Sequence, residues 1–219
     1  MPQLVIKGTT RTNQTLLDHG ITDLIAYSGP GGAQVLYAKS GPNGGLTAYA
    51  IGADGALMLL DYAHFQNSFA LGVFDQAAII ATATGPQMVV AQDSLGRLVG
   101  YDLAPDGRID TLTSISGLPN LGGVQDLDQW TNEMVFLANA ATGSIETYAL
   151  AGTPQLTRQS VTKDAQTAAV FQLETVTQSG TGFLLGASLA ASGVAAYRIA
   201  PGGLTATGQM GAADGLGVV

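Results

Sequence analysis

The sequence predicts an all-β chain of four repeated units, and three observations carry that reading. Four tyrosines, Tyr49, Tyr101, Tyr148 and Tyr197, recur at spacings of 52, 47 and 49 residues. Each sits in the same frame, with an aliphatic residue three positions before it (Leu46, Leu98, Ile145, Val194) and another two after it (Ile51, Leu103, Leu150, Ile199). A turn then follows at 53–55, 105–107, 152–154 and 201–203, and after each turn comes Leu57, Ile109, Leu156 or Leu204. The frame alternates with the period of two that a strand requires. Self-similarity at roughly 40–50 residues per strand-built unit is the signature of a β-propeller, with one four-stranded blade per repeat.

In chain order, residues 1–18 read as end strands of a closing blade: apolar runs at 3–8 and 15–18 resemble the last two strands of a repeat whose first two are absent. Blade 1 occupies 20–61, blade 2 75–116, blade 3 125–161 and blade 4 170–211, and residues 212–219 resemble the start of a next blade. Within blade 1 the strands are expected at 23–28, 33–39, 46–51 and 56–61, short apolar runs bounded by Gly, Pro, Asn and Asp. The second strand recurs at 88–91, 135–138 and 183–186, each copy ending on a small residue (Ala38, Ala91, Ala138, Gly186) that would let neighbouring sheets pack closely. The best helical candidate, 162–172, occupies the place of a plain connector and is worth one turn at most. The expectation is therefore one domain of four full blades plus end strands of an incomplete further blade, shorter than its natural parent. An open sheet edge invites self-association.

Composition excludes several functions. Sixteen acidic residues against eight Lys and Arg give a net charge of −8, and the basic residues are scattered, whereas a nucleic-acid binder clusters them to displace counterions from phosphates. No stretch approaches the roughly 20 apolar residues of a membrane span. Without cysteine there are no disulfides or thiolate metal sites. The N-terminus lacks the basic start and long apolar core of a cleavable signal peptide.

The motifs that could carry chemistry have simpler readings. The Gly-rich stretches 28–32 and 41–45 lack the following helix and Lys of a phosphate loop, so they read as hairpin turns. Asp-Gly at 54–55 and 106–107 lacks the alternating acidic ligands of a calcium loop and suits a two-residue hairpin that needs positive φ. His19 and His64 lie in connectors without a second ligand at metal spacing, and no Gly-X-Ser-X-Gly elbow presents a nucleophile. Trp130 is either a ligand platform or a packing residue.

The candidate site residues are Asp23, Asp75 and Asp126, each at the entrance to an innermost strand, with Gln172 and Glu174 nearby in the fourth repeat. Innermost strands line a propeller's channel, so these carboxylates could ring a bound cation. The alternative is that each Asp accepts backbone N–H bonds at a turn before a strand.

The frames at 101–109 and 197–204 resemble the YVTN/lactonase-type propeller repeat, and the Ala-, Gly- and Thr-rich, Cys-free style also resembles propeller regions upstream of haemolysin-type (RTX) calcium-binding repeats in bacterial secreted proteins. The resemblance covers about residues 20–211. Its lactonase branch implies a sugar-lactone hydrolase with Glu, Arg and His in the central funnel, a set that Glu133, Glu146 and Glu174 do not match. Its secreted branch implies an extracellular or cell-surface protein with no cofactor in this chain and calcium bound by a C-terminal part outside it. The first expectation is thus a non-catalytic interaction scaffold with a protein or glycan partner. The alternative is a lactonase-like hydrolase whose site is completed by further blades.

Overall fold

The computed structural model describes residues 12, 15–18, 20–41, 44–65, 77–82, 85–92, 97–115, 123–131, 134–150, 156–190 and 192–210. After a helical turn, α1 (Thr15–Asp18), it holds sixteen strands in four antiparallel sheets. Blade 1 comprises β1 (Ile21–Ser28), β2 (Gln34–Ser40), β3 (Gly45–Ile51) and β4 (Leu57–His64). Blade 2 comprises β5 (Ala77–Thr82), β6 (Gly85–Gln92), β7 (Arg97–Leu103) and β8 (Ile109–Ile115). Blade 3 comprises β9 (Val124–Trp130), β10 (Met134–Asn139), β11 (Ser144–Leu150) and β12 (Leu156–Thr162). Blade 4 comprises β13 (Val170–Gln178), β14 (Thr181–Ser188), β15 (Gly193–Ala200) and β16 (Gly203–Met210). Each sheet pairs its strands in simple sequence order, so the chain is an all-β, four-bladed propeller.

The blades stack through apolar clusters that join consecutive sheets, and the frame tyrosines explain how. Tyr101 packs with Val35, Tyr37 and Leu46 of blade 1, Tyr148 with Ile80 and Val89 of blade 2, and Tyr197 with Phe136 and Ile145 of blade 3. Every one of these tyrosines faces the preceding blade. Opposite the four frame tyrosines on the second strand stand Leu36, Met88, Val135 and Leu184. The next residue along the strand, Tyr37, Val89 or Phe136 in blades 1–3, points the other way and is fully buried against the following blade. Blade 1 has no preceding sheet among the described residues. Instead α1 packs on β2 and β3, Leu17 is buried, and the Ser40 hydroxyl donates to the Leu17 carbonyl at 2.7 Å. Tyr49, covered there, has its pKa raised by burial and by the nearby Asp18 carboxylate.

Three expectations need correction. The strand expected over 15–18 is a helical turn, whose Asp18 carboxylate accepts from both the backbone N–H and the hydroxyl of Thr12. At 162–172 the single turn expected there does form, the Asp164 carboxylate accepting from Gln166 and Thr167 N–H, before the chain enters β13. The small residues that end the second strands do not share one role. Ala38 and Gly186 lie two places beyond the tyrosine's partner, whereas Ala138 lies three beyond and packs toward blade 4. With side chains alternating, one residue of offset changes the face.

The Asp-Gly turns are not two-residue hairpins either. Gly52 pairs with Ala56 and Ala104 with Arg108, so three residues make each connection. In both, the last of the three is glycine in the left-handed region, Gly55 at φ +81° and Gly107 at φ +87°. Asp54 and Asp106 each accept the N–H two residues on, which occupies the carboxylates that a calcium loop would need. The outlying runs at 3–8 and 212–219 lie outside the described residues.

Candidate functional site

The first strand of every blade faces the axis, and β1, β5, β9 and β13 together line one cavity of about 880 Å³. Its walls are mostly aliphatic, as expected where successive first strands lie side by side. Its polar groups are Asp23 and Tyr27 from β1, Asp126, Asp128 and Gln129 from β9, and Gln172 and Glu174 from β13. No Lys, Arg or His lines it among the described residues. Among the described residues there is also no group of three or more His, Asp or Glu that could hold a metal ion.

Two of the three carboxylates singled out from sequence, Asp23 and Asp126, therefore reach the cavity, while Asp75 lies outside the described residues. They are already engaged with the backbone. Asp23 accepts from Leu24 N–H at 2.8 Å. Asp126 accepts from Leu127 N–H at 2.9 Å with one oxygen and, with the other, from Leu173 N–H of blade 4 at 2.6 Å. Burial pushes the Asp126 carboxyl up from 3.8 to about 6, against the pull of its two backbone donors and with a further push from Asp128 and Asp23. A carboxyl of that kind titrates near neutrality, within range of proton-transfer work.

Sequence reasoning missed Asp128 and Gln129. Asp128 spans the same junction, accepting from Gln129 N–H and from Thr175 N–H of β13, and burial raises its pKa too. Gln129 reaches the opposite way: its Oε1 accepts from Ala81 N–H at 3.0 Å and its Nε2 donates to Ala81 carbonyl at 3.3 Å. Side chains on β9 thus bind the backbones of the first strands on both sides, in places where adjacent blades share no ladder. The Asp-Leu-Asp-Gln run at 126–129 held the signal, since alternate positions put Asp126 and Asp128 on one face and Gln129 on the other.

The remaining candidates lie elsewhere. Trp130 packs in the blade 3–blade 4 cluster, so close to Gly182 that a Cβ there would lie 2.6 Å from its Cε2; this is the packing alternative. His64 stands exposed at the end of β4, edge-on to Tyr62. His19 lies outside the described residues. Glu146, buried on β11, accepts from the Tyr148 hydroxyl at 2.6 Å and Asn139 Nδ2 at 3.0 Å, with Arg158 Nη1 at 3.7 Å. It belongs to the packing between blades 2 and 3, away from the cavity.

Solved structures show what this geometry is similar to. A candidate 6-phosphogluconolactonase from Bacteroides fragilis superposes with a TM-score of 0.61 at 18% identity, over 85% of this chain and 56% of its own. The periplasmic gluconolactonase PpgL of Pseudomonas aeruginosa gives 0.60 at 15% identity, with the same shares. A candidate 6-phosphogluconolactonase from Bacteroides uniformis gives 0.59 at 16% identity, again over 85% and 56%. The likeness establishes the fold. The chain spans a little over half the length of these neighbours. No protein-family model matches it, and no curated protein matches it. No helix among the described residues is long and apolar enough to cross a membrane.

Proposed function

We propose that this chain is a lactonase-type propeller module whose axial cavity takes a small polyhydroxylated molecule and, with a sugar lactone, hydrolyses it. One observation carries the reading: the first strands of all four blades converge on a single cavity of about 880 Å³, bearing carboxylates and carboxamides on apolar walls. Support comes from neighbours of the same fold that carry gluconolactonase names. In the reaction water adds to the lactone carbonyl, the ring C–O bond breaks, and a hydroxycarboxylate and a proton result. Asp126 is the group suited to take the proton from water, because its carboxyl titrates near pH 6.

A scaffold without catalysis is the second reading, and a specific observation favours it. Asp23, Asp126 and Asp128 all spend oxygens on backbone N–H groups, as structural carboxylates do. One experiment separates the two. Proton release from glucono-1,5-lactone is followed in a pH-stat near pH 6.5, with heat of binding measured in parallel. The hydrolase reading expects a rate above buffer that falls at least about tenfold in Asp126→Asn. Neither excess rate nor binding heat would leave the scaffold. The secreted branch of the resemblance carries its own proposal, a protein outside the cell, checked by immunoblot of spent medium against washed cells.

A further inference from the structure

Charge is segregated by strand. Asp23, Asp126 and Asp128 stand on the wall of the axial cavity, and Glu174 adds a fourth carboxylate from β13. Every first strand lies in a stretch of sequence with no Lys, Arg or His: residues 20–38, 65–96, 109–157 and 164–197. Those stretches include the connectors that lead into and out of β5 and β9. The bases are placed elsewhere, with Lys39 on β2, Arg97 on β7, Arg158 on β12 and Arg198 on β15. Arg108 sits in an outer turn against Asp106 at 3.2 Å, and Lys7 and Arg11 lie outside the described residues. A phosphate is held by Lys or Arg, or by backbone N–H groups left unspent. The Gly-rich turn after β1, whose Pro30 lines the cavity, spends two of its own: Gly29 N–H donates to the Ala33 carbonyl at 2.8 Å and Gly32 N–H to the Gly29 carbonyl at 3.2 Å. Asp126 and Asp128 are set between blades 2 and 4, so their place on the wall depends on nothing beyond blade 4. Asp23 acts from blade 1, close enough to push the Asp126 carboxyl further up.

We infer that the axial cavity selects its ligand by charge, taking a neutral or ammonium-bearing polyol or sugar lactone and rejecting phosphorylated and carboxylated ones. This selectivity deepens the reading of the cavity as the binding site and rests on it. The physical reason is like-charge repulsion on a wall whose aliphatic side chains keep water, and so screening, partly away. One unit charge about 8 Å from another, at an effective dielectric of about 20, weakens binding by more than about tenfold. A phosphate monoester carries nearly two such charges near neutral pH. An ammonium group gains where a phosphate loses. The same field acts on the reaction: hydrolysis turns a neutral lactone into a carboxylate beside Asp126 and Asp128, so the product is repelled as it forms.

The test is calorimetric titration of the full chain near neutral pH with four probes of one skeleton: D-glucose, D-glucosamine, D-gluconate and D-glucose 6-phosphate. Hydrolysis of glucono-1,5-lactone is followed alongside in the pH-stat. Glucosamine is expected to bind most tightly and glucose next, with gluconate and glucose 6-phosphate at least about tenfold weaker than glucose. Added salt should shrink that gap, because screening weakens repulsion and leaves hydrogen bonds to the polyol in place. Asp23→Lys is expected to close the gap between glucose and glucose 6-phosphate, and Asp23→Asn to narrow it. Asp54→Lys makes the same change of net charge on an exposed turn away from the cavity and keeps the wild-type ranking. Circular dichroism confirms that each variant is folded. Anionic probes that bind as tightly as glucose, a gap that salt leaves unchanged, or no binding by any probe would each overturn the inference. A ranking by charge without lactone hydrolysis would remove the hydrolase and keep the selectivity; hydrolysis together with tightly bound glucose 6-phosphate would do the reverse.

Discussion

Replacing Asp126 with Asn isolates a carboxylate whose burial outweighs its hydrogen bonds. Its pKa is raised from 3.8 to about 6, with burial as the main cause, although Leu173 and Leu127 N–H groups favour the ionised form. A carboxyl with a higher pKa in the folded state holds its proton more tightly there. Between about pH 4 and 6 the folded chain therefore binds more protons than the unfolded one, so stability falls as pH rises through that window. Below it both states are protonated and the cost is absent; above it the cost is complete. Two pKa units at about 1.4 kcal/mol each make that cost about 3 kcal/mol. Asn cannot ionise and keeps one acceptor oxygen. The stability of Asp126→Asn relative to wild type should therefore rise by about 3 kcal/mol from about pH 4 to 7.5. At about 2–4 °C per kcal/mol for a chain of this size, the Tm difference should change by about 6–12 °C. Paired thermal melts by circular dichroism across that range read it directly. Any constant offset from the lost second acceptor cancels between the two ends. A Tm difference that stays flat would refute the burial argument, and one that changes the other way would mean the two N–H donors outweigh desolvation.

Further outcomes follow from other blade contacts. The Tyr37 hydroxyl donates to the Gly107 carbonyl at 2.7 Å across the blade 1–blade 2 junction, so Tyr37→Phe should cost about 1–2 kcal/mol in urea unfolding. The Tyr101 hydroxyl is buried without a partner among the described residues, and Tyr101→Phe should be neutral or stabilising; equal losses in both would contradict this. Gly55 and Gly107 share a turn conformation, but a Cβ on Gly55 meets open space while one on Gly107 meets Val35. Gly55→Ala should cost about 1 kcal/mol and Gly107→Ala about 3, read as Tm losses. Gly182→Ala drives a methyl into the Trp130 ring, so the lone tryptophan's emission should shift to the red as Tm falls; an unchanged spectrum would sink that contact.

The tyrosine frame made the fold legible because it repeats a local requirement. Alternation makes strands, Gly and Pro end them, and one aromatic per unit must find an apolar neighbour. Tyr101, Tyr148 and Tyr197 do this on the preceding blade. Asp23 and Asp126 lie on β1 and β9, strands that were legible for the same local reason. Asp128 and Gln129 were not found, because their partners, Thr175 and Ala81, lie 47 and 48 residues away. No local pattern encodes such a pairing. The helical turn at Thr15–Asp18 was misread because its leucines suit either a strand or a helix; the uncovered face of blade 1 decides between them.

By itself, then, the sequence determined the class, the number of described blades and the strands that line the axis, since these follow from hydrophobic period and turn chemistry. Tertiary structure decided what no period contains: which face of each strand is buried and which carboxylates are spent on neighbouring backbones. Those outcomes depend on the stacking of sheets, and stacking brings together residues roughly one repeat apart in the chain.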